Sequence, residues 1–143
     1  MSFKSQDDES LTVRDVMVTD VKTVTPEDPV MKAVELMSEH GIGSVVVIGP
    51  KREVLGILTE RDLITRVLAK RLDPNEVKVQ DIMSRPVVTI EPDVPLSEVV
   101  SIMKEKGIGH VPVVENGRII GIIAEGDIAY IAPEFLQLLR IRK

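Results

Sequence analysis

The chain has 143 residues, 43% of them hydrophobic, enough to bury a real core in one compact body. A net charge of -5 and an aromatic content of 2% argue against a nucleic-acid partner, which calls for a basic groove with aromatic platforms for the bases. The lack of Cys excludes disulfides and thiolate metal sites, the two His form no metal motif, and no apolar run approaches the ~18 residues of a membrane span.

Residues 1–10 are polar and acidic, without the basic start and apolar run of a signal peptide. They read as a flexible tail on a soluble, cytoplasmic protein. Lys22 to Thr25 is a short extended segment, and Asp28 with Pro29 predicts an N-cap and first-turn proline. The helix they open carries Val30, Ala33, Val34 and Met37 on one stripe and ends near His40, at Gly41. Two strands follow, Ser44 to Ile48 and Val54 to Leu58, around a turn of Gly49, Pro50 and Lys51. A second helix is expected from Glu60 to about Arg71, with Leu63, Ile64, Val67 and Leu68 inward. Asp73, Pro74 and Asn75 mark a junction. Val111 to Val114 and Arg118 to Ile123 then form a hairpin around Asn116-Gly117. Pro133 stops the last helix of this series, and Glu134 to Lys143 predicts one more amphipathic helix carrying Phe135, Leu136, Leu138, Leu139 and Ile141. It would dock either on its own chain or on a neighbouring subunit.

The chain repeats itself. Val13, Asp15, Met17, Thr23, Pro26, Pro29, Met37, Gly41 and Gly43 return 66 positions later as Val79, Asp81, Met83, Thr89, Pro92, Pro95, Met103, Gly107 and Gly109. Gly56, Ile57, Glu60 and Asp62 return 65 positions later as Gly121, Ile122, Glu125 and Asp127. Two similar β-α-β-β-α units, related by a pseudo-twofold axis within one compact α/β (α+β) module, are the expectation. The expected boundaries are 1–10 for the tail, 11–74 and 75–132 for the repeats, and 133–143 for the C-terminal segment. Met17 and Met83 read as core, and Arg52 and Arg118 as decoration of solvent-facing turns.

The most informative motif is Gly56-Ile57-Leu58-Thr59-Glu60-Arg61-Asp62, at a passage from strand to helix. A helix N-terminus favours a phosphate, and an acid three residues after Thr59 can accept both hydrogen bonds of a vicinal diol such as that of ribose. The same spacing also makes a capping box that serves only the helix. In the second copy Ala124 replaces Thr59, yet Asp127 remains.

Gly, a hydrophobic residue, any residue, Thr, then Asp three positions on, in a tandem unit of about sixty residues, resembles the cystathionine beta-synthase (CBS) domain. Asp15-Val16-Met17, Gly41-Ile42 and Val111-Pro112-Val113-Val114 add to the resemblance, which covers about Val13 to Ala132. It implies a stand-alone regulatory pair that binds AMP, ADP or ATP, and in some cases S-adenosylmethionine, in clefts between repeats. Carried over, Thr59 and Asp62 would hold phosphate and ribose in a first site, with Ile57, Val87, Val88, His110 and Pro112 around the nucleotide. The second site would use Asp127 for ribose, Ile122 as wall, Val21 and Lys22 beside the base, Ser44 opposite, and Arg61 for phosphate. Ala124 in place of Thr, and Val46 in place of the middle-strand Pro, make the second site the weaker by this reading.

No nucleophile with a base, carboxylate pair or metal cluster stands at interpretable spacing, so a non-catalytic module with no cofactor and no metal is expected. Three functions remain in view: an adenylate sensor acting on a regulated protein, an S-adenosylmethionine-binding module, and a ligand-free dimerisation scaffold. Leu63, Val67, Ile128 and Ile131 recur at helical spacing and read as the apolar face of a homodimer.

Overall fold

The computed structural model describes residues 11–141, and side chains through residue 139. The expectation of a flexible tail over 1–10 lies outside the described residues. The elements in order are α1 (Val13–Val16), β1 (Thr23–Val24), α2 (Val30–His40), β2 (Ser44–Ile48), β3 (Val54–Thr59) and α3 (Glu60–Asp62). A π-helix (Leu63–Leu68) and α4 (Val79–Ile82) follow. Then come α5 (Leu96–Lys106), β4 (His110–Glu115), β5 (Arg118–Ala124), α6 (Glu125–Ile131), a 3₁₀ turn (Pro133–Phe135) and α7 (Leu136–Ile141). None of the helices in the described residues is long and apolar enough to cross a membrane.

The chain forms two compact units that do not follow the order of the repeats. The first-repeat unit holds Val21–Val87 with Gly117–Ile119, and the second-repeat unit holds, of the described residues, 11–20, Val88–Asn116 and 120–141. Each repeat is thus completed by the lead segment of the other. In the second-repeat unit the first N–H groups of α1 donate outside their own helix, Val13 to the Val94 carbonyl (3.0 Å) and Arg14 to that of Pro92 (2.9 Å). In the first-repeat unit α4 does the same, Val79 to Asp28 (2.9 Å) and Gln80 to Pro26 (3.0 Å). A four-residue helix cannot stand alone. These docked N–H groups, with Val13 and Val79 both fully buried, hold it in place.

In the first-repeat unit β1 lies parallel to β2, and β2 antiparallel to β3, with Ser44 opposite Thr59 and Val46 opposite Ile57. The core collects Val24, Val30, Val45, Val47, Leu58 and Val67. In the second-repeat unit β4 pairs with β5, and the counterpart of β1 shrinks to one parallel bridge, Ile90 to Val113. Asn116 and Gly117 both have positive φ (53° and 77°), as the two-residue hairpin turn requires. The core there collects Leu96, Val100, Met103, Ile123 and Ile128. Leu139 is buried in it and Phe135 packs against it, so the terminal helix docks on its own chain, leaving Leu136 and Leu138 exposed.

Gly41 and Gly107 end α2 and α5 in the left-handed region (φ 61° and 66°), and their N–H groups return to the carbonyls of Met37 and Met103. Three expectations need correction. Asp28 does not cap α2, because Pro29 holds that position. Its carboxylate instead accepts the Thr25 N–H (2.8 Å) and lies 3.5 Å from Lys32 Nζ. Partial burial raises its pKa, but the Thr25 bond and the Lys32 charge outweigh that and hold it below the usual carboxylate value. The helix from Glu60 to Arg71 is α-helical for only one turn. It then widens to the i→i+5 pattern, as Ala69 N–H to Ile64 (2.8 Å) and Leu72 N–H to Val67 (3.0 Å) attest. Finally, Val67 and Ile128 belong to the cores, whereas Ile64 (57% exposed) and Leu68 (63%) face solvent. One edge of the apolar stripe suffices to cover a small sheet, so the other edge stays outside.

Candidate functional site

Within the first-repeat unit, β3 delivers Ile57, Thr59 and Asp62 to the passage from strand to helix. Ile57 is buried and held by two backbone bonds to Ser84, N–H to carbonyl at 3.2 Å and carbonyl from N–H at 2.9 Å. Gly56 permits this approach, since a Cβ there would lie 2.6 Å from Met83 Sδ and 3.1 Å from the Ser84 carbonyl oxygen. Thr59 and Asp62 form the reciprocal capping box. The Thr59 N–H donates to Asp62 Oδ2 (2.9 Å), the Thr59 hydroxyl lies 3.1 Å from the same oxygen, and the Asp62 N–H donates back to Thr59 Oγ1 (3.3 Å). The Glu60 N–H is taken by the Gly43 carbonyl (3.1 Å). Little of the helix end is left to bind an anion, and α3 continues as a π-helix rather than as a long dipole.

Asp62, 6% exposed, has a further pair of partners that the spacing of the motif does not announce. The Ser84 hydroxyl donates to Oδ1 (3.0 Å), and Arg66 Nε lies 3.6 Å from that oxygen. Arg66 Nη1 also donates to the carbonyls of Ile82 (3.2 Å) and Met83 (3.4 Å), at the end of α4. The only sequence clue was a polar Ser84 where the other copy has Val18 and an Arg one turn beyond Asp62.

The second-repeat unit repeats the scaffold with fewer polar groups. Ile122 and Val18 exchange backbone bonds (2.8 and 2.9 Å), and Gly121 makes room for Met17 and Val18 as Gly56 does for Met83 and Ser84. The Ala124 N–H donates to Asp127 Oδ2 (3.1 Å), half of a capping box, because Ala124 has no oxygen to return the bond. The Glu125 N–H goes to the Gly109 carbonyl (2.9 Å).

The remaining residues distribute as follows. Val21, Lys22, Ser44, Arg61 and Val87 belong to the first-repeat unit, and Val88, His110 and Pro112 to the second-repeat unit. Each expected set therefore draws on both units. Ser44 is buried directly across from Thr59, Arg61 is exposed, Pro112 is buried, and His110 is half-buried at the start of β4. Among the described residues no three His, Asp or Glu are placed to hold a metal ion.

The model of the family described as the CBS domain matches residues 13–69 and, a second time, 79–134. A protein of Methanopyrus kandleri is 43% identical over 125 residues, 87% of this chain, which spans 64% of that protein's length. The crystal structure of a conserved protein from Pyrococcus horikoshii is similar over 87% of this chain and 94% of its own, with a TM-score of 0.80 and 33% identity. That of a hexameric CBS-CP12 protein from bloom-forming cyanobacteria is similar over 89% of this chain and 73% of its own, with a TM-score of 0.79 and 28% identity.

Proposed function

The chain belongs to the CBS-domain family, with two CBS domains in tandem, and from that premise we propose that it is a non-catalytic regulatory module that binds an adenine nucleotide, AMP foremost and ADP or ATP in its place. CBS proteins are usually regulatory and often bind nucleotides. The observation that carries the reading is the acid retained in both repeats beside an apolar wall, Asp62 by Ile57 and Asp127 by Ile122. A carboxylate there accepts the ribose diol while the wall takes the base. An adenine covering about 150 Å² of apolar surface contributes roughly 4 kcal/mol at ~25 cal/mol per Å². Hydrogen bonds to a charged acceptor add about 1.5–3 kcal/mol, and association costs bring the total to the micromolar range. A sensor has to release its ligand, and an affinity of that order lets it.

Thermal unfolding with AMP, ADP, ATP and S-adenosylmethionine in turn tests this. A nucleotide at a hundredfold excess over its Kd is expected to stabilise the fold by roughly 3 kcal/mol, on the order of 10 °C for a chain of this size. No shift with any adenine nucleotide would leave the scaffold reading, which the internally satisfied Asp62 favours. A shift with S-adenosylmethionine alone would change the ligand class.

CBS proteins commonly assemble into oligomers, and a homodimer belongs to the same proposal. Ile64 and Leu68 in one unit, and Tyr130 (86% exposed) and Ile131 in the other, are the apolar surface that a second copy would cover. Light scattering at micromolar concentration is expected to give twice the chain mass, and a monomer mass would exclude the dimer.

A further inference from the structure

Asp62 and Asp127 hold equivalent positions in different company. An ionised carboxylate has about four lone-pair positions, and around Asp62 four groups are turned to them. These are the Thr59 N–H and hydroxyl at Oδ2, and the Ser84 hydroxyl with Arg66 Nε at Oδ1. Asp127 accepts only the Ala124 N–H, at Oδ2, and among the described residues nothing donates to its Oδ1. The cause lies in two substitutions between the copies. Ser84 is matched 66 positions earlier by Val18, and Arg66 is matched 65 positions later by Ile131, and neither counterpart has a donor in its side chain. Arg66 is also held in place by the Ile82 and Met83 carbonyls, so it cannot leave Asp62 without giving up those bonds.

We propose that Ser84 and Arg66 are specificity-determining residues that compete with the ribose diol for Asp62 Oδ1, so that Asp127 is the first carboxylate to take a ribose. This rests on the nucleotide reading above, and it reverses the ranking implied by the Thr59 and Ala124 difference alone. A vicinal diol brings two O–H donors to one carboxylate. Asp127 can accept both at once. Asp62 can do so only after Ser84 turns away, and the lost bond subtracts directly from the affinity.

The test uses the full chain with Asp127→Ala, so that only the Asp62 half-site is read, and AMP titrated calorimetrically with and without Ser84→Ala. Removing the competitor is expected to tighten AMP binding by roughly ten- to a hundredfold, the equivalent of one hydrogen bond to a charged acceptor. Binding of 2′,3′-dideoxy-AMP, which lacks the diol, is expected to stay the same. A purely structural Ser84 would leave AMP binding unchanged or weaker when removed, and that outcome overturns the proposal. The converse variant, Val18→Ser in an Asp62→Ala chain, places a donor beside Asp127 at an exposed position and is expected to weaken AMP binding; unchanged or tighter binding also counts against the competition. If neither the natural chain nor any variant binds AMP, the nucleotide reading itself fails and this proposal with it. Binding that ignores Ser84→Ala overturns the competition alone.

Discussion

Deleting residues 1–20 is expected to unfold the second repeat before the first, although the first is the one that follows directly in the chain. The deletion removes α1 from the second-repeat unit, with the fully buried Val13, the buried Val16, and the N–H groups given to Val94 and Pro92. Burial of a Val side chain stabilises by about 1.5–3 kcal/mol, so the two together account for roughly 3–6 kcal/mol. That is comparable to the whole stability of many domains. Hydrogen exchange followed by mass spectrometry should show protection lost over residues 88–139 and retained over 21–87. Protection lost first in 21–87 would mean that the lead segment serves the repeat it precedes.

Gly56→Val and Gly121→Val are expected to destabilise their units by about 3 kcal/mol each, through overpacking and a broken bridge. A Cβ at Gly56 would stand 2.6 Å from Met83 Sδ and 3.1 Å from the Ser84 carbonyl oxygen, and one at Gly121 would stand 2.7 Å from Met17 Sδ and 3.1 Å from the Val18 carbonyl oxygen. Met83 is itself buried in the core, and each carbonyl is fixed by the N–H opposite, from Ile57 or Ile122. The neighbours cannot yield without the lead segment detaching. Gly126→Ala is the control. Nothing lies within 4 Å of a Cβ at that helical position, so Ala should be neutral or raise stability by up to about 1 kcal/mol. Urea unfolding of the three variants checks all of this, and Gly→Val substitutions that cost no more than the control would show that the close approach has no energetic weight.

The repeat, its strands and the stops at Gly41 and Gly107 were legible because each rests on local chemistry: β-branched runs, a glycine free to adopt positive φ, an Asn-Gly turn. The exchange of lead segments was not. Matching Val13, Asp15 and Met17 to Val79, Asp81 and Met83 establishes that the segments are alike, and says nothing about which repeat each one packs on. The π-helix was hidden for a different reason, since Leu63, Ile64, Val67 and Leu68 fit an α-helical stripe equally well, and nothing in their side chains selects an i→i+5 bond. At the candidate site the spacing of Thr59 and Asp62 admitted either a diol clamp or a capping box. The box forms, and what further engages Asp62 comes from Ser84, 22 residues away in the chain. Only the fold brings that hydroxyl to the carboxylate.

A gene cut between codons 74 and 75 would encode two polypeptides, each carrying the helix that the other half needs. On its own, either product could complete itself only by trading lead helices with a second molecule, an association that dilution reverses. Fusion in tandem replaces that bimolecular step with an intramolecular one, at an effective concentration on the order of millimolar for short linkers. The integrity of the folded module then no longer depends on how much of it the cell makes. For a protein proposed to report the level of a small molecule, that independence keeps the reading from being a measure of its own abundance.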